Sequence, residues 1–103
     1  MKKFLCPYSK INNDYYMRLD IYGRPSVWEG KYIAGIWRSV IVNRAFGNNG
    51  PNESYRIFTL KPRSEMLEFE SLSLAQEALD KQLIEIGYTL LTEEEANKYR
   101  VLL

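Results

Sequence analysis

The sequence contains no histidine and a single cysteine, Cys6. Without His, the chain cannot build Ser-His-Asp or Cys-His catalytic groups, a His-based zinc site or a His general base. One Cys cannot form an internal disulfide bond and is too few for a structural zinc site. We therefore expect no catalytic residues, no metal and no cofactor, and we interpret Cys6 as a small, partly buried side chain near the first strand.

Long apolar runs are also missing from the 103 residues. No run approaches the roughly 20 residues that span a bilayer. The apolar stretch that follows Lys3 stops at Pro7, which makes it shorter than the core of a signal peptide, about 7–15 residues. These observations predict a cytoplasmic protein that has no membrane partner.

The near-neutral net charge of +1 conceals an uneven distribution. Residues 1–63 carry 11 Lys or Arg and 4 Asp or Glu, whereas residues 64–103 carry 3 and 9. The first part also holds 11 of the 14 aromatic residues. A basic, aromatic part joined to an acidic, aliphatic part is typical of a molecule with one face suited to an anionic partner.

The basic part is predicted to form strands. Residues 14–22 alternate with period 2, and residues 32–44 form the run richest in β-branched and aromatic side chains. Residues 46–53 hold three Asn, two Gly and one Pro, which indicates a loop. Residues 54–61 and 66–69 are predicted to be further strands, the first of them pairing with the strand before the loop.

The period of two also assigns faces to these strands. Tyr15 and Met17 are predicted to share a buried face, with Tyr16 and Arg18 on the solvent face. In residues 32–44 both parities are apolar, which is typical of an interior strand covered on both sides. We therefore expect Val40 and Ile41 to be largely buried.

The acidic part changes to a helical period. A helix is predicted at about residues 74–86, with Ser73 as its N-cap and Gly87 just after its end. A second helix is predicted at about residues 93–101, opened by a capping box that begins at Thr92. In the first helix, Leu79 and Leu83 are predicted to face the sheet.

Charged residues on that helix are assigned to its solvent face, among them Glu77, Asp80 and Lys81. Strands come first and helices last, so the fold class is predicted to be α+β. We expect one domain over residues 1–103, in which an antiparallel sheet of about four strands (residues 3–69) is packed by two C-terminal helices.

Two aromatic residues and one loop are candidate contact residues. Trp37 lies in the predicted interior strand and is interpreted as core, whereas Trp28 lies between turn signals and is less constrained. Trp is enriched at binding hot spots, and loop tips often carry contact residues. The sequence therefore predicts a protein-binding site at Trp28 together with Phe46, Asn48 and Asn49.

Basic residues of the predicted sheet form a second candidate site. Arginines beside exposed tyrosines can hold phosphates while the rings stack bases. Two other interpretations remain open: an ordinary solvated sheet face, and pairing of the basic sheet with the acidic helices of the same molecule. The candidate nucleic-acid-binding residues are Arg18, Arg38, Arg44, Arg56 and Lys61.

The composition favours a small non-enzymatic protein-binding domain with a protein partner. By analogy, this character is typical of accessory or inhibitor proteins of phages and mobile elements. The alternative is a nucleic-acid-binding module that uses the basic, aromatic sheet face. A third hypothesis is a small His-free ribonuclease that uses Arg, Lys and Tyr.

Overall fold

The computed structural model describes residues 3–42, 51–60 and 65–101. Within these ranges the chain forms nine strands and two helices, numbered in chain order. The strands β1 to β9 are Lys3–Leu5, Tyr8–Asn12, Tyr15–Arg18, Val27–Trp28, Lys31–Tyr32, Gly35–Val42, Pro51–Thr59, Glu65–Phe69 and Tyr88–Leu90. The helices α1 and α2 are Leu72–Glu85 and Glu93–Val101.

The main sheet is antiparallel and has the strand order β2-β3-β6-β7-β8. Strands β6 and β7 are antiparallel neighbours, as predicted, and β6 lies in the middle of the sheet. With α1 on one face and both helices in the C-terminal part, the chain is a single α+β domain, which confirms the predicted fold class.

Central position does not bury the whole of β6. Val40 is 43% exposed, so the expectation that it is largely buried was wrong. The side chain of Ile41 lies outside the described residues. Helix α1 packs on β7, β8 and β9, and the buried positions of β6 lie at its start, where Gly35 and Ile36 are covered. Apolar residues on both faces therefore predicted correctly that β6 is a central strand, but they did not predict how much of the strand is buried.

Two strand boundaries differ from the prediction. Strand β3 ends at Arg18 instead of continuing to residue 22, because Asp20 closes a turn in which its carboxylate accepts hydrogen bonds from the backbone N–H groups of Tyr22 and Arg24. Strand β7 begins at Pro51, inside the predicted loop, since proline is accepted as the first residue of a strand.

Helix α1 begins two residues earlier than predicted. Its N-cap is Ser71, whose hydroxyl accepts a hydrogen bond from the backbone N–H of Leu74, and not Ser73. Leu79 and Leu83 are fully buried, which confirms the predicted inner face. Gly87 has φ +103°, a left-handed conformation that suits glycine at a helix end.

Helix α2 opens with the predicted capping box. The backbone N–H of Glu95 donates to the Thr92 hydroxyl, and the Glu95 carboxylate accepts from the backbone N–H of Thr92. These bonds lower the pKa of Glu95. The helix covers a small cluster in which Cys6, Leu91 and Ala96 are buried. Cys6 follows the first strand as expected, and it is fully rather than partly buried.

The main core lies between α1 and one face of the sheet. Strands β1 and β9 pair in parallel beside it and connect the two ends of the chain. The members of this core are nearly or fully excluded from water: Leu5, Ile33, Ala34, Ile36, Tyr55, Ile57, Ala75, Leu79 and Leu83.

Candidate functional site

Arg18, a predicted solvent-facing cation, is buried under α1. Its side chain is 11% exposed, and its Nε and Nη2 atoms donate to Asp80 Oδ1 and Oδ2 at 3.0 and 3.2 Å. Nη1 donates to the carbonyl oxygen of Cys6 at 3.0 Å. The Tyr8 hydroxyl donates to Asp80 Oδ1 at 2.7 Å, and the Tyr8 ring lies 4.4 Å from the guanidinium. Arg18 therefore joins the sheet to the helix and presents little charge to solvent.

This arrangement overturns the solvent face assigned to β3. Tyr16 packs against the main core together with Tyr8, whereas Tyr15 lies on the sheet face away from α1. The alternation itself was right, and Met17 is buried as predicted at 5% exposed, but the solvent position predicted for Tyr16 and Arg18 was wrong. The face of β3 that lies under α1 carries the Tyr16 ring and Arg18. Arg18 can lie there because the carboxylate of Asp80 neutralises its charge.

Arg38 and Arg56 also face carboxylates of the same chain. Arg38 lies 3.3 Å from Asp14 Oδ1 through Nη1, and its Nη2 donates to Glu53 Oε1 at 2.5 Å. The hydrogen bond from Arg38 lowers the pKa of Glu53. Arg56 Nε lies 2.8 Å from Glu68 Oε1 on β8. These pairs remove much of the positive potential that the sheet would otherwise present.

The remaining two candidate cations, Arg44 and Lys61, lie outside the described residues. The same holds for Phe46, Asn48 and Asn49 of the predicted protein-binding site. The structure therefore places three of the five candidate cations, each beside an acidic side chain, and one of the four protein-contact candidates, Trp28.

The sheet face away from α1 carries a row of aromatic rings. Trp37 makes edge-to-face contacts with Tyr15 on one side and Phe58 on the other, each with ring centroids 5.0 Å apart. Burial raises the pKa of Tyr15 to about 12. We call these three rings the aromatic row. Trp37 is half-buried in this row, so its interpretation as a core residue was wrong.

A shallow groove of about 390 Å³ lies beside Trp37 and Phe58, two rings of the aromatic row. Met66, directly across from Phe58 in the β7–β8 ladder, also lines it. The other lining residues include the ion-paired Asp14, Arg38 and Arg56. Apolar side chains next to polar ones are the usual composition of a protein-contact surface.

A short hairpin, β4 and β5, projects beside this groove. Its two-residue turn has φ of 49° at Glu29 and 79° at Gly30, as a type I′ turn requires. The turn follows Trp28 directly, at one of the two turn signals that flank this residue in the sequence. Lys31 Nζ lies 5.6 Å from the centre of the Phe58 ring, so the hairpin contacts one end of the aromatic row.

The hairpin exposes three large apolar side chains within six residues. Val27 and Tyr32 lie directly across from each other and are 55% and 45% exposed, and Trp28 is 50% exposed. We call these three residues the hairpin surface. The base of the hairpin is fixed, because Ile33 donates a backbone hydrogen bond to the carbonyl of Ser26 at 3.1 Å and is itself buried.

The described residues contain no group of three or more His, Cys, Asp or Glu side chains that could hold a metal ion. In the same part of the chain, neither helix has the length and apolar character needed to cross a membrane.

Sequence reasoning missed two features of this region. The aromatic row depends on the registers that place Tyr15 and Arg56 across from Trp37, and a register is not visible in one sequence. Asp80 was assigned to solvent because it follows the charged side of α1, although the sequence did leave open that the basic sheet pairs with the acidic helices.

The comparisons with known proteins give no relative. No family model matches the chain, and neither a curated protein nor a solved structure is significantly similar to it.

Proposed function

We propose that this chain is a non-enzymatic protein-binding domain, and that its partner contacts the hairpin surface and the adjacent aromatic row. The observation that carries the proposal is the exposure of Val27, Trp28 and Tyr32 on one short hairpin. Val27 and Tyr32 form a cross-strand pair on one face of the hairpin and Trp28 lies on the other, so the partner would contact both faces of this ribbon. Exposed apolar side chains bordered by polar groups are characteristic of interaction sites.

Preorganisation supports this assignment. The turn is set by the two left-handed residues Glu29 and Gly30, and the hairpin base is held by the buried Ile33. A partner that accepts Trp28 in an apolar pocket would therefore order few additional side chains, and the entropic cost of binding would be small. Tryptophan is also the side chain most enriched among residues that dominate binding energy.

The charge arrangement supports ranking a protein partner above nucleic acid. Arg18, Arg38 and Arg56 each lie beside a carboxylate of this chain. A phosphate would have to displace these carboxylates before it could bind the guanidinium groups. An accessory or inhibitory role in a phage or mobile element would use the same hairpin surface, with the groove beside the aromatic row as its continuation.

The first experiment identifies the partner and then tests the site with purified components. A pull-down from a lysate of the source organism, with and without nuclease, supplies candidate proteins, and each is titrated calorimetrically against the purified chain. We expect Trp28→Ala to weaken binding by about 30-fold or more, the effect of a hot-spot residue. Ile84→Ala is the matched control, since Ile84 is 60% exposed on α1 and outside this region.

Equal weakening by Trp28→Ala and Ile84→Ala would contradict the assigned surface.

A second titration uses a labelled single-stranded oligonucleotide at several salt concentrations. Four phosphate contacts would give a log–log slope of about −3, flattened by about one to two units in the Arg38→Ala/Arg44→Ala variant. We expect only weak, non-specific binding, and tight salt-sensitive binding lost in that variant would favour the nucleic-acid function.

A further inference from the structure

A second cavity, of about 500 Å³, lies where the β1–β9 pair meets the segment that follows β3. Lys3 of β1 and Tyr88 of β9 line one part of it, and side chains from residues 20–26 line another. Sites for small molecules have volumes of about 300–1,000 Å³, so this cavity is large enough for one. It shares no lining residue with the groove beside the aromatic row or with the hairpin surface.

The segment that forms one wall of the cavity is held by its own hydrogen bonds. The Asp20 N–H donates to the carbonyl of Arg24 at 2.9 Å, and the Gly23 N–H donates to the carbonyl of Asp20 at 3.0 Å. Asp20 Oδ1 also accepts from the N–H groups of Tyr22 and Arg24, at 2.8 and 2.9 Å. Because these bonds fix residues 20–24, the wall is formed before any ligand arrives and little order must be gained on binding.

Both cations of the cavity lie against tyrosine rings. Lys3 Nζ is 5.3 Å from the centre of the Tyr88 ring, and the guanidinium carbon of Arg24 is 4.7 Å from the centre of the Tyr22 ring. Tyr22 is 59% exposed, so its ring is accessible. Each pair places a flat apolar surface next to a positive charge, a combination that fits a ligand with a ring and an anionic group.

The positive charge of this cavity is available to a ligand. Two cations and one carboxylate, Asp20, line it. Among the described residues no carboxylate pairs with Lys3, in contrast to Arg18 and Arg38. Arg24 lies 3.5 Å from Asp20 Oδ2 through Nε, and within the described ranges its two terminal amino groups have no hydrogen-bond partner. An anion can therefore bind these groups without displacing a carboxylate.

We propose that this cavity binds a small aromatic anion, a planar ring that carries one phosphate or carboxylate group. The ring packs on tyrosine and on the apolar lining residues Phe4 and Ile21, which is the usual composition of a small-molecule site. The anionic group accepts hydrogen bonds from Lys3 and from the terminal amino groups of Arg24, and such charge-assisted bonds are about twice as strong as neutral ones. The ligand is a free small molecule, and its site is separate from that of the proposed protein partner.

The first test varies the ligand and needs no protein variant. Four compounds are titrated against the ¹⁵N-labelled full chain by NMR: adenosine monophosphate and adenosine, and indole-3-acetate and indole-3-acetamide. We expect the shifted amide signals to concentrate at residues 20–26 and at Tyr88. At least one charged compound should bind about tenfold or more tightly than its uncharged counterpart. Comparing the two charged compounds distinguishes a phosphate ligand from a carboxylate ligand.

The second test removes one charge of the cavity. Lys3→Met keeps a long side chain at an exposed position and should weaken binding of the charged compound about tenfold, while binding of its uncharged counterpart stays nearly unchanged. A merely structural role of Lys3 would weaken both. Lys10→Met is the matched control, since Lys10 is exposed on β2 and does not line the cavity.

The third test removes one ring. Tyr22→Ala should weaken binding of both compounds of a pair about tenfold, because stacking on an aromatic side chain does not depend on the ligand charge. Tyr32→Ala removes a 45% exposed tyrosine of the hairpin surface and should leave binding of these compounds unchanged.

Three results would overturn the proposal. Equal affinities of the charged and uncharged compounds in both pairs would exclude the anionic contact. Equal effects of Lys3→Met and Lys10→Met would place the ligand elsewhere. Unshifted signals at residues 20–26 and Tyr88 with all four compounds at about 10 mM would exclude the site, since even a weak site binds at about 1 mM. None of these results depends on Trp28, so the proposed function is tested separately.

Discussion

Replacing Asp80 by asparagine tests the connection between the sheet and α1. Asp80 accepts two hydrogen bonds from Arg18 and one from the Tyr8 hydroxyl, and the Arg18 side chain is only 11% exposed. The substitution keeps the size of the side chain but removes the negative charge. The buried guanidinium of Arg18 then lacks its counter-charge, and the new amide N–H groups face the donors of Arg18 and Tyr8.

The expected loss of stability is large for one side chain. Breaking a buried ion pair costs about 3–5 kcal/mol. The Asp80 side chain is 28% exposed, so water partly compensates and we expect a loss near the lower limit, about 3 kcal/mol. With a urea dependence of about 1.5 kcal/mol per molar, the unfolding midpoint should fall by about 2 M.

The measurement is urea unfolding followed by tryptophan fluorescence, since Trp37 is half-buried between two aromatic rings. Glu77→Gln is the matched control: it removes one carboxylate from an exposed position of the same helix and should cost no more than about 0.5 kcal/mol. Similar midpoints for Asp80→Asn and Glu77→Gln would refute the argument.

A triple variant separates the cost of an orphaned charge from the value of the pair itself. Tyr8→Phe, Arg18→Met and Asp80→Leu together replace the polar network by apolar side chains of comparable size. Apolar replacement of a buried ion pair is often neutral or stabilising, so this variant should regain most of the stability that Asp80→Asn loses. If the triple variant were as unstable as Asp80→Asn, the packing of this region and not the unpaired Arg18 would be responsible.

Three further predictions concern the helix, the hairpin and the tyrosines. Leu83→Ala should cost about 2–5 kcal/mol in urea unfolding, because Leu83 is fully buried, whereas the exposed neighbour Ile84→Ala should cost no more than about 0.5 kcal/mol; equal losses would contradict the inner face of α1. Glu29→Gly should raise stability by about 0.5–1 kcal/mol, since Glu29 has φ 49°, and a loss would mean that its side chain makes a stabilising contact. Burial raises the pKa of Tyr15 to about 12 and, with the Asp80 carboxylate as acceptor, raises the pKa of Tyr8 as well. The fold favours the neutral form of both phenols, so this stabilisation is complete below the ordinary phenol pKa of about 10 and is lost as the pH rises through the folded pKa values. The urea midpoint should therefore fall above about pH 10, and replacing both tyrosines by Phe should make that fall smaller.

Local sequence determined the kinds of elements and several of their ends. The period of two around Tyr15 and Met17 predicted β3, and the period of 3.6 around Leu79 and Leu83 predicted α1, because repeats of apolar side chains fit only one backbone geometry. The capping box at Thr92 could be predicted from sequence, because it joins only Thr92 and Glu95, which are close together in the chain. For the candidate site, the turn signals around Trp28 indicated a less constrained side chain, and the structure places this side chain half-exposed next to a turn.

Tertiary structure alone decided which face of a strand is buried and which residues meet. Alternation divides β3 into two faces, but Asp80, 62 residues from Arg18, determines which face lies under α1. The parallel pairing of β1 with β9 and the stacking of Trp37 in the aromatic row likewise depend on registers between distant segments. Periodicity is a property of neighbouring residues, whereas register and burial are fixed by the packing of the whole chain, and so these features were beyond the sequence pattern.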